Sequence, residues 1–247
     1  MSETNRLTLL VHGTPKIGKS WLGESCPGPV LVLDGEGSTD YLRRKNRIQW
    51  DPTTPPPTGL GPNDLVVVRA LNWSSVALVT QWLQSGKHEF NSFVVDTLTE
   101  LQKQCKTTIA SGGFDDTRQW GQLLEKMELT ARQWATLVDH PTKPLYAVVC
   151  ITQTEARGKQ GDEIQRPDVQ GGLRRSLGSF FDVIGYLRPR FEDGQLLPSR
   201  ELVIAPYPGI EAGDRTDQLT RSFKQGIIPN PDVTELVRLL NTPEASK

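Results

Sequence analysis

Leu7-Thr8-Leu9-Leu10-Val11-His12-Gly13-Thr14-Pro15-Lys16-Ile17-Gly18-Lys19-Ser20 decides how the rest of the chain is read. Residues 7–12 form an apolar run too short for a helix, and the run stops at a glycine. That is the pattern of a buried strand. Gly13 and Gly18 then bracket Thr14, Pro15, Lys16 and Ile17, and Lys19 and Ser20 close the motif. The spacing GxxxxGK[ST] has a mechanical reason. Glycines let backbone N–H groups curl around phosphates, and the helix that follows aims its positive end at them. In such a cradle Lys19 reaches the β- and γ-phosphates and the Ser20 hydroxyl binds Mg²⁺. Gly13 to Ser20 are therefore the candidate nucleotide-binding residues, with ATP and Mg²⁺ as the expected cofactors. Lys16 lies in the variable part of the motif and is equally compatible with facing solvent.

The 247 residues suit one large α/β domain better than two small ones. A net charge of −1 excludes a chain that binds nucleic acid by bulk charge, so any such site is a local patch. Cys26, Cys105 and Cys150 are far apart, lack a CxxC pattern and do not pair with a histidine cluster. Neither a disulfide framework nor a zinc site is expected, and reduced thiols favour the cytosol. No apolar run approaches the length of a membrane span, and polar residues 1–6 do not make a signal peptide.

Further along, a short helix over residues 19–24 is expected to end at Cys26-Pro27-Gly28-Pro29. Residues 30–33 read as a second buried strand ending at Asp34-Gly35-Glu36-Gly37. Proline-rich residues 50–64 read as a surface loop, and residues 65–68 as a third strand. Ser74 or Ser75 is the expected cap of a helix running to about Gln84. Phe93-Val94-Val95 reads as a strand ending at Asp96. Helices are expected from Leu98 to before Ser111, and after Asp115-Asp116-Thr117. In the second of these Trp120, Leu123, Leu124, Met127, Ala131, Trp134 and Val138 keep helical spacing and mark a core face. Residues 145–151 are the next strand, ending at Thr152-Gln153. A polar loop over 154–172, strands over 180–187 and 201–205, and a helix over 232–240 complete the pattern. Buried strands alternating with helices imply a mostly parallel sheet.

Asp96 at a strand end is placed to complete the magnesium shell. It is followed by Thr97, not by a second acid, so another group must polarise the attacking water. Glu36 is the candidate: it ends the second strand, beside the P-loop strand in many such sheets, at the edge where ligands sit.

Four motifs in this order resemble RecA-like recombinases. Leu31-Val32-Leu33-Asp34-Gly35-Glu36 resembles the strand end whose glutamate activates water, and Phe93-Val94-Val95-Asp96-Thr97 resembles their magnesium-binding strand. Val148-Val149-Cys150-Ile151-Thr152-Gln153 resembles the strand whose glutamine senses the γ-phosphate. Gln170-Gly171-Gly172-Leu173 resembles the glycine pair closing their second DNA-binding loop. The short first helix, Ala212-Gly213-Asp214-Arg215 and Ile228-Pro229-Asn230-Pro231 look nearer still to a phage group of single-domain RecA-like ATPases, the single-strand annealing proteins.

The resemblance implies a RecA-like P-loop core over about residues 6–205 with a C-terminal segment, 206–247, in one domain. It implies Mg-dependent ATP hydrolysis stimulated by single-stranded DNA, in phage-type recombination or annealing within a host cytoplasm. It also implies a homo-oligomer with ATP sites at subunit interfaces, working beside a single-strand binding protein. By the same resemblance Glu36, Lys19, Gln153 and Arg215 are catalytic, with Arg215 acting on a neighbour's nucleotide. DNA would meet Gly113 and Phe114 in one loop, and Arg157, Lys159, Arg166, Arg174 and Arg175 in or just past another. The second loop also carries Glu155, Asp162, Glu163 and Asp168, so it is not locally basic. Two other readings stay open: an ATPase with a non-DNA cargo, and a nucleotide-dependent binding module with little turnover.

Overall fold

The computed structural model describes residues 6–43, 46–110, 117–159, 162–192 and 195–242. The chain runs β1 (Leu7–Gly13), α1 (Lys19–Glu24), β2 (Val30–Asp34), β3 (Asn46–Gln49), β4 (Asp64–Arg69), α2 (Trp73–Ser85), β5 (Ser92–Asp96) and α3 (Leu98–Ile109). It continues α4 (Thr117–Ala135), β6 (Ala147–Arg157), β7 (Ile164–Pro167), α5 (Leu173–Ser176), β8 (Val183–Glu192) and β9 (Gln195–Val203). β10 (Gly213–Asp214), α6 (Gln218–Ser222), β11 (Ile227–Pro229) and α7 (Val233–Leu240) finish it.

The strands form one sheet in the order β11-β9-β8-β1-β6-β5-β2-β4-β3, with β10 on β8 and β7 on β6. From β8 to β3 the pairing along that order is parallel, and β9, β10 and β11 join antiparallel. β1, β2 and β5 are buried at every residue, which is why they read as continuous apolar runs. One face of the sheet packs on α2, α3 and α4 through Val79, Leu83, Leu101, Met127 and Trp134. The other packs on α1, α6 and α7 through Leu22, Leu219, Leu236 and Leu240. The amphipathic stripe of α4 is therefore core, and Trp134 Nε1 donates to Thr80 Oγ1 of α2 at 2.9 Å.

Several local readings change. The cap of α2 is Asn72, whose side chain accepts from Ser75 N, and not Ser74 or Ser75. Residues 50–63 are the expected, largely exposed loop, but it is pinned to the domain: Pro52 and Pro56 are buried, and Trp82 Nε1 donates to the Pro52 carbonyl. β3 was invisible because its residues are mostly exposed and carry no apolar run. The polar stretch after Gln153 is no simple loop. β6 runs on through Arg157 and pairs antiparallel with β7, Thr154 opposite Pro167 and Arg157 opposite Ile164. Its residues are mostly polar and half-buried, with Pro167 buried, so it carries no apolar alternation that a hydrophobic pattern could reveal. The expected cap over residues 115–117 falls largely outside the described residues, as does the loop holding Gly113 and Phe114.

Candidate nucleotide site

The parallel strands β1, β6, β5 and β2 all end at one edge, and the candidate residues collect there. Gly13 closes β1, and a Cβ on it would meet the Leu187 carbonyl of β8 at 2.5 Å, so only glycine lets the loop start this close to the sheet. Gly18 caps α1 with φ 98°, a left-handed conformation that other residues adopt at a cost. Thr14, Pro15 and Lys16 are exposed along the loop's crest. Lys19 is buried, and its ammonium donates to the Gly13 and Thr14 carbonyls at 2.8 and 2.9 Å and to Gln153 Oε1 at 3.3 Å. Burial lowers its pKa below the usual lysine value, while the charges of Asp96 and Glu36 oppose that shift.

Asp96 is 2% exposed at the end of β5. Its carboxylate accepts from the Ser20 hydroxyl and, at 3.0 Å, from Ser38 Oγ. Burial pushes its pKa up to about 6, helped by the negative charges of Glu36 and Asp34. Ser20 and Asp96 thus present two oxygen donors to one point. Among the described residues no cluster of three or more His, Cys, Asp or Glu could cage an ion alone. A hard cation that keeps waters and takes phosphate oxygens fits such a pair, as Mg²⁺ does.

Glu36 does not sit on a strand beside β1, as expected. β6 and β5 intervene, and β2 lies between β5 and β4. The residue still reaches the site, because Asp34 builds the turn that carries it. The buried Asp34 carboxylate accepts from the backbone N–H of Glu36, Gly37, Ser38 and Thr39. Glu36 Oε1 then accepts from Thr97 Oγ1 at 2.9 Å and from Gln153 Nε2 at 3.0 Å. One chain of contacts therefore joins Lys19, Gln153, Glu36 and Thr97. Asp34, Ser38 and Thr97 were missed as site builders. The Asp-Gly-Glu-Gly turn signal could have flagged Asp34, since aspartate side chains bond their own backbone in turns.

Gln153 also stands at the foot of the β6–β7 hairpin. Its N–H donates to Thr99 Oγ1, whose hydroxyl donates to the Asp168 carbonyl, and Asp168 N donates back to Gln153 O. His12, fully buried at the end of β1, touches the same hairpin. The Glu211 carbonyl can only accept, so the proton is on Nε2, and Nδ1 lies 3.1 Å from Thr154 Oγ1, whose hydroxyl also has the Arg166 carbonyl as an acceptor at 3.2 Å. Burial drives its pKa down to about 4, so it is neutral at physiological pH.

The cations assigned to DNA are placed unevenly. Lys159 and Arg175 are exposed. Arg157 pairs with Glu155 at 2.8 Å. Arg174 Nε lies 3.1 Å from the other Glu155 oxygen without aiming its N–H at it, and Arg174 Nη2 donates to the Val169 carbonyl. Arg166 stands 3.8 Å from Glu211. Arg215 is not at this edge of the sheet. Its neighbour Asp214 pairs with Val183, and Val183 aligns with Leu9, four residues back from Gly13. That is roughly 13 Å of strand. Its partners are the Ser179 carbonyl and Asp182, not Asp214 or Asp217.

A phosphate-cradling loop at the edge of a mostly parallel sheet, with a buried lysine, a magnesium-type Ser/Asp pair and a glutamate on the turn after β2, defines a P-loop nucleoside triphosphatase. The chain belongs to the AAA domain family, whose model matches residues 5–216. No curated protein matches it. It is thus a nucleotide-binding AAA-type ATPase, and among the described residues no helix is long and apolar enough to cross a membrane.

Proposed function

We propose that this ATPase hydrolyses MgATP in a RecA-like manner and couples the hydrolysis to binding of single-stranded DNA, in recombination or annealing of the phage type. The observation that carries the reading is the contact chain from Lys19 through Gln153 to Glu36, with Gln153 at the foot of the β6–β7 hairpin. Ser20 and Asp96 would hold Mg²⁺, which supplies charge neutralisation between the phosphates. Lys19 leaves its loop carbonyls for phosphate oxygens. Glu36 orients and deprotonates the attacking water, and Gln153, released from both, reports the γ-phosphate to the hairpin. Lys159 and Arg175 meet DNA first, with Arg157, Arg166 and Arg174 joining as their acidic partners yield. Arg215 would act in trans, across a head-to-tail interface of a homo-oligomer, and its place roughly 13 Å of strand below the P-loop edge supports a role on a neighbour's nucleotide over one on its own.

The test is single-stranded DNA affinity with a non-hydrolysable ATP analogue and with ADP. Tighter binding with the analogue is expected, and equal affinity in both states removes the coupling. The second reading, a protein-remodelling ATPase, has one observation in its favour: Glu155 and Glu211 stand beside three of the five described hairpin-region cations. Nucleotide-dependent retention on DNA separates the two.

A further inference from the structure

Beside the P-loop, away from Gln153 and Glu36, lies a cleft of about 290 Å³. Trp21, one residue past Ser20, forms one wall, and Pro198 and Arg200 of β9 form another. The Trp21 ring is 37% exposed and carries two guanidinium groups, Arg200 at 4.4 Å and Arg43 at 4.5 Å from its centroid. Neither has a carboxylate partner among the described residues. Burial, and then the nearby charge of Arg43, holds Arg200 below the usual arginine pKa. Arg200 also covers the P-loop: a Cβ on Gly18 would fall on its guanidinium. Two like charges on one indole, with no counter-ion among the described residues, form a site that gains from an aromatic and an anion arriving together.

The sheet fixes which part of a nucleotide could arrive. β1 has β6 on one side and β8 on the other. Gln153, Asp96 and Glu36 all lie on the β6 side, so the terminal phosphate points there. The nucleoside must leave the P-loop on the β8–β9 side, where this cleft opens. Its volume is close to the lower end of small-molecule sites, roughly 300–1,000 Å³. Ser199 and Asn230 supply polar groups at its rim.

We infer that this cleft holds the base and ribose of the nucleotide, with the base stacking on Trp21 in place of one guanidinium and Arg200 turning from the indole toward the phosphates. The inference rests on the nucleotide-binding reading, so its test separates base from phosphates. Calorimetric titration with Mg²⁺ and either ATP or inorganic tripolyphosphate measures the two contributions in the full-length protein. Wild type binds ATP more tightly. Trp21→Leu lowers ATP affinity about tenfold, the scale of one base–aromatic stack, and leaves tripolyphosphate within about twofold. Trp21→Phe retains most of the preference. Equal wild-type affinity for both ligands overturns the cleft while leaving the P-loop intact, and so does a parallel loss of both in Trp21→Leu. Binding of neither by wild type removes the nucleotide reading itself. A measurement needing no variant is photolabelling of wild type with 8-azidoadenosine triphosphate. Label on the segment around Trp21 or around Pro198–Arg200 is expected, and label confined elsewhere overturns the assignment.

Discussion

Replacing Asp96 by asparagine should make the nucleotide-free protein more stable at neutral pH and not at acidic pH. Asp96 is buried, and burial, with the charges of Glu36 and Asp34, raises its pKa from 3.8 to about 6 against the hydrogen bonds from Ser20 and Ser38. The folded state therefore holds this proton more tightly than the unfolded chain does. The associated stability is fully present below about pH 4 and is lost as pH rises through about 6. Two pKa units at about 1.4 kcal/mol each make the ionised carboxylate cost about 3 kcal/mol at pH 7.5. Asparagine has the same shape and no charge, and its amide can donate toward the neighbouring carboxylates. It also gives up one acceptor, a loss of about 1 kcal/mol. The net expectation is about 2 kcal/mol of added stability at pH 7.5, near 4–8 °C in a chain of this size. At pH 4 the variant should be equal or about 1 kcal/mol worse. Urea unfolding of both proteins at the two pH values, with chelator present, measures this. A difference that does not change between pH 4 and 7.5 would refute the buried-charge argument. In the same variant Mg²⁺ dependence of nucleotide binding should weaken.

Other consequences follow from the same geometry. Glu36→Gln should keep ATP binding and lose about 10²–10⁴ in turnover, as expected on losing a general base; normal hydrolysis would show that another carboxylate activates water. Gln153→Ala should leave basal ATP affinity largely unchanged and abolish the nucleotide dependence of DNA binding; retained dependence would move the coupling to His12 and Thr154. Mixing Glu36→Gln with Arg215→Ala protein should restore part of the ATPase, because random head-to-tail assembly creates an intact interface at roughly a quarter of contacts. Failure with mixed assembly confirmed removes Arg215 from a trans role, and a fully active Arg215→Ala protein removes it from catalysis.

The strand, loop and helix from Leu7 to Glu24 were legible because one local signal after another agreed: buried run, glycines at fixed spacing, a Pro-Gly stop. Asp96 was legible for the same reason, as a carboxylate ending an apolar strand. Strand order was not. Local pattern says that β2 exists but not that β6 and β5 separate it from β1, so Glu36 was placed at the right edge on the wrong neighbour. The β6–β7 hairpin was not legible because its half-buried, mostly polar strands carry no period-two apolar pattern. The cleft on Trp21 joins residues 21, 43 and 200, and no spacing rule links positions so far apart. Beyond the turn signal, the part of Asp34 was not legible because its bonds run to the backbone N–H groups of residues 36–39, which local pattern does not reveal.

The most direct test of the whole account is the rate of MgATP hydrolysis by the full-length protein with and without single-stranded DNA, beside Lys19→Ala as the inactive control. The account predicts slow basal turnover that single-stranded DNA raises severalfold and that vanishes in Lys19→Ala. Turnover abolished in Lys19→Ala but indifferent to DNA would contradict the coupling, and turnover surviving in Lys19→Ala would contradict the site itself.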